Sequence, residues 1–219
     1  MPKQNSIKEF VEGKFIVIEG TDGSGKSTQI DLLKSALSDH EIPSHFTLEP
    51  TDRPIGKLIR KVLEHKVKVT NDVLAGLFFS DRLDHLNNDE NGILKHLSEG
   101  ITVVNDRYYL SSLAYNSLNS SMSWVYQLNE PCMDLRRPDL TIFLDLTVEE
   151  SLRRIKMGRN KVDLFEKQEI LQKVKDNYEK AINMLSPHEK IIVINADQDP
   201  ELIHAEIWTQ IQALFNLTS

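Results

Sequence analysis

Residues 15–27 read "FIVIEGTDGSGKS", an apolar run that breaks into glycines, hydroxyls, one acid and one lysine. Consecutive aliphatic and aromatic positions of this kind are how a strand buried on both faces of a parallel sheet reads. The next eight residues, Gly20 to Ser27, fit G-x-x-x-x-G-K-[ST], and the helical stretch "STQIDLLKSAL" comes directly after. Glycines let such a loop bend back so that successive N–H groups point inward, and the helix N-terminus adds its partial positive charge. The product is a pocket for phosphate at the carboxyl end of a strand, where open α/β sheets bind ligands. Lys26 is placed to reach the β- and γ-phosphates of a nucleoside triphosphate, and the Ser27 hydroxyl to ligate Mg²⁺.

Four more short apolar segments recur downstream: "HFTLE" (45–49), "ITVVND" (101–106), "LTIFLD" (140–145) and "KIIVIN" (190–195). Helical patterns lie between them. Ile55, Leu58, Ile59, Val62 and Leu63 form one stripe at i, i+3, i+4, i+7 and i+8. Thr147 and Glu150 have capping-box spacing, and Asp199 before Pro200 offers an N-cap and a residue preset for the first helical turn. Alternating strand and helix predicts an α/β, three-layer P-loop NTPase fold, with a five-stranded parallel sheet flanked by helices. Residues 1–13 read as a polar tail and 14–219 as a single domain, with a basic flap around 153–166 in "SLRRIKMGRNKVDLFE".

Composition bounds the function. The chain has 219 residues, 40% hydrophobic and 27% charged, and no apolar run long enough to cross a bilayer, so a soluble protein without a membrane partner is expected. Its single cysteine and a start lacking an apolar signal core predict a reducing, cytoplasmic location. A net charge of −7 argues against nucleic acid as partner and requires a local cluster of cations for any anionic ligand. The seven histidines are scattered, so no structural zinc is expected.

Among P-loop proteins, a guanine-nucleotide switch needs N-K-x-D late in the chain, and "INADQDP" lacks the lysine. A small-molecule kinase needs a second pocket with arginines, and three stretches supply it. "LFFSDR" (77–82) puts Phe78 and Arg82 four apart on one helical face, a ring and a guanidinium able to address one ligand. "VVNDRYYLSSLAY" (103–115) ends a strand in Asp106 and follows it with Arg107 at the edge that carries the glycine loop. The basic flap is the third. Plainer readings stand beside these: Phe78 and Tyr115 as core, Arg82 paired with Asp81 or Glu90, Asp106 and Arg107 as a strand-end ion pair, and the flap as a solvated face.

The P-loop with its acid, "EPTDRPIGKLIR", "LFFSDR", "NDRYYLSSLAY", "RRPDLTIFLD" and "INAD" together resemble the thymidylate (dTMP) kinases over about residues 14–210. The resemblance implies transfer of a phosphoryl group from ATP, with Mg²⁺, to dTMP, in a homodimer. It implies ATP contacts from Gly20, Asp22, Gly23, Ser24, Gly25, Lys26, Ser27, Thr28 and Arg154, the last near adenine. For the acceptor it implies Asp22 on the sugar 3′-hydroxyl, Phe78 stacked on thymine and Arg82 on a base carbonyl. Arg107 would hold the acceptor phosphate, Ser111 would help fix the base, and Tyr115 would crowd the sugar's 2′ position. Glu49 joins the substrate-binding set, and Asp106 with Ser27 the metal-binding set. A phosphate oxygen is already nucleophilic at neutral pH, so Lys26, Arg107, Asp106 and a flap cation act by position and charge.

Two positions depart from the family pattern. This P-loop carries no arginine, so the flap must provide the catalytic one; where D-R-x-E is common, Asp163, Leu164, Phe165 and Glu166 stand. Arg159, with Lys161 as second choice, is the expected replacement. Leu48 occupies a place that often holds arginine, with Arg53 as its expected substitute. Two other functions stay open from sequence: a deoxynucleoside kinase using Asp106 or Glu49 as general base, and a catalytically silent nucleotide-binding module.

Overall fold

The structure, a computed structural model, describes residues 12–155 and 162–217, with side chains left undescribed at 162–167. Its elements follow in the order β1 (Phe15–Gly20), α1 (Lys26–Asp39), β2 (Ser44–Leu48), α2 (Pro54–Leu63), α3 (Asn71–Asn87), α4 (Ile93–Ser98), β3 (Thr102–Asp106), α5 (Tyr109–Tyr115), α6 (Met122–Leu135), β4 (Leu140–Asp145), α7 (Val148–Ile155), α8 (Val162–Leu185), β5 (Ile191–Asn195) and α9 (Pro200–Phe215). One five-stranded sheet has the order β2-β3-β1-β4-β5, all parallel. The expected fold class holds. β1 is the middle strand, so the loop that leaves it at Gly20 emerges at the centre of the carboxyl edge.

The period-two geometry of β1 builds both faces of the core. Phe15 and Val17 point into a cluster with Leu86, Leu97, Leu113, Val125 and Tyr178, from the helices of one layer. Ile16 and Ile18 point the other way, against Leu33 and Leu37 of α1 and Ile203, Ile207 and Ile211 of α9. β1 is buried along its whole length, whereas the edge strands β2 and β5 are mostly half-buried, and Val193 is 53% exposed.

Several local expectations change in detail. The α2 stripe is helical but only partly core: Gly56 and Ile59 face inward, while Leu58 and Leu63 stay exposed. The capping box at α7 is half-formed, since Glu150 N–H donates to Thr147 Oγ1 but the Glu150 carboxylate turns to Arg153 and Arg154. Asp199 starts α9 through its backbone carbonyl, which accepts from Leu202 and Ile203, and not through its side chain. Gly13 is not tail: its N–H donates to Leu97 O, and a Cβ there would lie 2.1 Å from Ile101 O. Residues 1–11 of the expected tail lie outside the described residues. Among the described residues no helix is long and apolar enough to cross a membrane.

Cys132 is fully buried on α6, and burial, against the pull of Arg82, pushes its thiol up to about 11. The native protein is therefore expected to resist thiol titration at pH 8 and to expose one reactive thiol in denaturant.

Candidate active site

The glycine loop closes on itself before any ligand is considered. Ser24 N–H donates to Thr21 O, and Gly25, at φ +92°, ends the loop in a left-handed conformation as the N-cap of α1. A Cβ at Gly25 would meet open space, so glycine is demanded by backbone conformation and not by crowding. Lys26 folds back to donate to the carbonyls of Gly20 at 3.2 Å and Thr21 at 3.4 Å. Burial, with the like charge of Arg107 behind it, lowers the Lys26 pKa to about 8 against the opposing pull of Asp106, Asp22 and Glu19. Thr21 Oγ1 and Ser24 Oγ are buried with no partner among the described residues.

A cavity of about 600 Å³ opens over this loop, lined by residues 22–29 together with Asp106, Arg107, Arg154, Gln198, Pro200 and Ile203. α7 forms one wall. Ser151 Oγ donates to Asp22 O at 2.5 Å, and Arg154 donates to Ala196 O at 3.1 Å and to Gly23 O at 3.4 Å while its Nε pairs with Glu150 at 2.7 Å.

A second cavity of about 350 Å³ lies beside it, and Asp22 and Arg107 line both. Its walls come from Glu49 and Pro50 after β2, Phe78 and Arg82 of α3, and Tyr108, Ser111, Ser112 and Tyr115. Phe78 is half-buried and faces this space, so it is a wall and not plain core. The Tyr115 hydroxyl is buried without a partner among the described residues, and burial pushes its pKa up to about 12.

Arg107 joins the two spaces, and its surroundings explain why it sits there. It follows β3 at φ +72°, a conformation that is unfavourable by roughly 1–2 kcal/mol for a residue with a Cβ. Its NH2 donates to Asp22 Oδ1 at 2.6 Å, and its NH1 donates to Ser111 Oγ at 3.1 Å and Tyr178 Oη at 3.2 Å. The guanidinium lies 5.2 Å from the Tyr115 ring centroid. Beneath these hydroxyls is Glu19, fully buried, which accepts from Ser111 Oγ at 2.6 Å, Tyr178 Oη at 3.0 Å and Tyr108 N–H at 2.8 Å. Burial raises the Glu19 pKa, while Arg107 and Ser111 oppose the shift. The partner of Arg107 is thus Asp22 and not the adjacent Asp106, which corrects the strand-end ion pair. Asp106 keeps Oδ1 without a partner among the described residues; burial raises its pKa, with Lys26 and Arg107 pulling it back.

Arg82 is fully buried and pairs with neither Asp81 nor Glu90. It meets Glu49 at 2.8 Å and donates to Ser112 Oγ at 3.0 Å and to Asn129 Oδ1, with its guanidinium 5.2 Å from the Tyr108 ring. Asp81 instead accepts from the Thr51 N–H and hydroxyl. Arg53 is anchored to Asp84 at 2.6 Å and Asn91 at 3.1 Å, outside the lining of the second cavity. Arg159 and Lys161 lie outside the described residues, as do the side chains of Asp163, Leu164, Phe165 and Glu166.

The sequence motifs did not single out Glu19, Ser112, Asn129, Ser151 or Tyr178. Glu19 left a signal, a carboxylate at the end of an otherwise apolar strand. Asn129 and Tyr178 left none, because each is drawn in by a partner 47 or 71 residues away.

A parallel sheet with a phosphate-shaped glycine loop leaving its central strand, and a second cavity sharing one arginine with the first, define a P-loop nucleoside monophosphate kinase. The chain belongs to the thymidylate kinase family: the profile described as thymidylate kinase matches residues 18–207. It is 41% identical over 203 residues to a protein named probable thymidylate kinase from Pyrococcus horikoshii, covering 90% of this chain and 95% of that one. Proteins with the same name from Methanococcus aeolicus (40% identical; 89% and 93% covered) and Thermococcus kodakarensis (37%; 91% and 98%) agree. The enzyme is a transferase that phosphorylates dTMP to dTDP in nucleotide biosynthesis.

Proposed function

We propose that ATP occupies the larger cavity and dTMP the smaller, with the γ-phosphoryl group passing directly between them at Arg107. The observation that carries this reading is that Asp22 and Arg107 line both cavities. Two multiply charged nucleotides repel one another, so their meeting point must hold concentrated positive charge in a site of low dielectric. Lys26 and Arg107 provide it. Lys26 holds the transferring phosphate, Gly20, Gly23, Ser24, Gly25, Ser27 and Thr28 cradle the triphosphate, and Arg154 packs near the adenine. Asp22 takes the sugar 3′-hydroxyl, Phe78 the face of thymine, Arg82 its carbonyl, and Glu49 orients Arg82. Tyr115 faces the sugar, and Ser111 acts by fixing Arg107.

Ser27 and the unpartnered oxygen of Asp106 fit a hard cation, Asp106 acting through water. Bound there, Mg²⁺ would neutralise phosphate charge. The flap cation assigned to Arg159 completes the set. The family resemblance also carries a homodimer and a cytoplasmic location.

Measuring ADP release with dTMP, with thymidine and with neither tests the assignment. Turnover with dTMP and little with thymidine is expected; turnover on thymidine alone would reject the monophosphate site, and ATP binding without turnover would indicate a silent module. Arg154→Ala is expected to raise KM for ATP several-fold and leave KM for dTMP near its starting value, because Arg154 lines only the larger cavity.

A further inference from the structure

The end of β2 and one face of α3 are stitched together by four side chains. Thr47 and Glu49 are two apart in the strand direction, and Arg82 and His85 are three apart on the helix, so each pair shares a side. His85 Nε2 lies 2.8 Å from Thr47 Oγ1, and His85 Nδ1 lies 3.2 Å from Glu49 Oε1. The other oxygen, Glu49 Oε2, accepts from Arg82 Nε at 2.8 Å, and NH2 lies at ion-pair distance, 2.8 Å, from the same oxygen. Glu49, Arg82 and His85 are all buried. An ionised carboxylate can only accept, so the ring nitrogen facing it carries hydrogen, and in the neutral imidazole Nε2 is left to accept from the Thr47 hydroxyl. Each oxygen of Glu49 is therefore claimed, one by the ring and one by the guanidinium.

Of the remaining donors of Arg82, those on NH1 are taken. NH1 serves Ser112 Oγ and Asn129 Oδ1, and Asn129 is itself held by donation to Val125 O at 2.8 Å. Of the five guanidinium hydrogens, this leaves the two on NH2 without a hydrogen-bond partner among the described residues, on a side chain that lines the smaller cavity beside Phe78.

We propose that His85 is a positioning residue for base selection: by holding Oε1 of Glu49 it keeps that carboxylate turned onto Arg82, so that a base entering the cavity meets a donor and not an acceptor. The inference rests on the reading of the smaller cavity as the acceptor site. A base presenting a carbonyl to Arg82 is paired, and one presenting an amino group sets donor against donor, which leaves buried polar groups unpaired. Glu49 lines the same cavity. Released from His85, its Oε1 becomes an acceptor for that amino group.

dUMP and dCMP share a sugar and a phosphate, both lack the thymine methyl, and differ along one base edge, dUMP with a carbonyl at C4 and N–H at N3, dCMP with an amino group at C4 and a bare N3. The test is kcat and KM for dTMP, dUMP and dCMP in the wild type and in His85→Leu, His85→Asn and Arg82→Met. His85→Leu is expected to raise KM for dTMP and dUMP and to lower the dUMP to dCMP ratio of kcat/KM by on the order of tenfold, as one lost hydrogen bond to a charged group allows. His85→Asn, whose side-chain amide can donate where Nδ1–H did, is expected to recover most of the ratio. If His85→Leu does not fold, His85→Gln, which reaches toward Thr47 without that donor, takes its place with the same expectations. An equal fall for all three substrates with the ratio unchanged would overturn the inference, as would a ratio that His85→Asn leaves collapsed. Arg82→Met separates the two levels: an unchanged KM for dTMP rejects the acceptor site itself, whereas a raised KM with an unmoved ratio in His85→Leu rejects only the role of His85.

Discussion

Lys26→Met is expected to lower kcat by on the order of 10²–10³ while the thermal midpoint at pH 7 stays level or rises. Both halves follow from one observation. The ammonium is buried against backbone carbonyls, with no carboxylate in contact among the described residues; burial, with the charge of Arg107 behind it, pushes its pKa down. In the absence of nucleotide this charge disfavours the fold, and it becomes favourable only when a phosphate arrives. Stability against pH checks the sign. The pKa falls from 10.5 in the unfolded chain to about 8 in the folded one. Between those values the unfolded state binds more protons, so Lys26 makes the wild type gain stability as pH rises from about 8 toward 10.5. Urea denaturation across that window should show the wild type gaining on Lys26→Met. A variant less stable at pH 7 and losing ground no further above it would show that the lysine is structural.

Glu49→Ala is expected to destabilise the fold by about 3–5 kcal/mol, because it strands a buried guanidinium and removes only one partner. Arg82 and Glu49 are both nearly inaccessible, with side-chain exposures of 2% and 3%. Replacing both, Glu49→Leu with Arg82→Met, should recover much of that loss, since the desolvation of two charges disappears along with their attraction. Equilibrium urea unfolding of the single and double variants measures this. A double variant as unstable as the sum of its single changes would mean that the two residues act independently. The double variant should fold and still fail to bind dTMP with normal KM, which separates the stability of the pair from its use.

The sheet was legible because all five of its strand signals are local. "FIVIE", "ITVVND" and "LTIFLD" become β1, β3 and β4 within a residue at each end, since central strands must be apolar on both faces. The glycine loop was legible because its residue types are dictated by backbone geometry. Phe78 and Arg82 were placed together by helical spacing alone, and the structure puts both on one cavity wall. What stayed hidden is the layer behind the site. Glu19, Tyr178 and Ser111 orient Arg107 by hydroxyl and carboxylate contacts from three separate elements, and no periodicity encodes such a meeting. The same holds for the choice of ion-pair partner. Asp106 is next to Arg107 in sequence, yet the left-handed turn at Arg107 aims the guanidinium at Asp22, 85 residues away.

Whether the two cavities are halves of one site is tested most directly by a single molecule long enough to fill both, an adenosine and a thymidine joined 5′ to 5′ through five phosphates. Steady-state inhibition by this compound is predicted to be competitive against ATP and also competitive against dTMP, with Lys26→Met and Phe78→Ala each weakening it. Competition against ATP alone, with binding indifferent to Phe78→Ala, would contradict a shared site at Arg107.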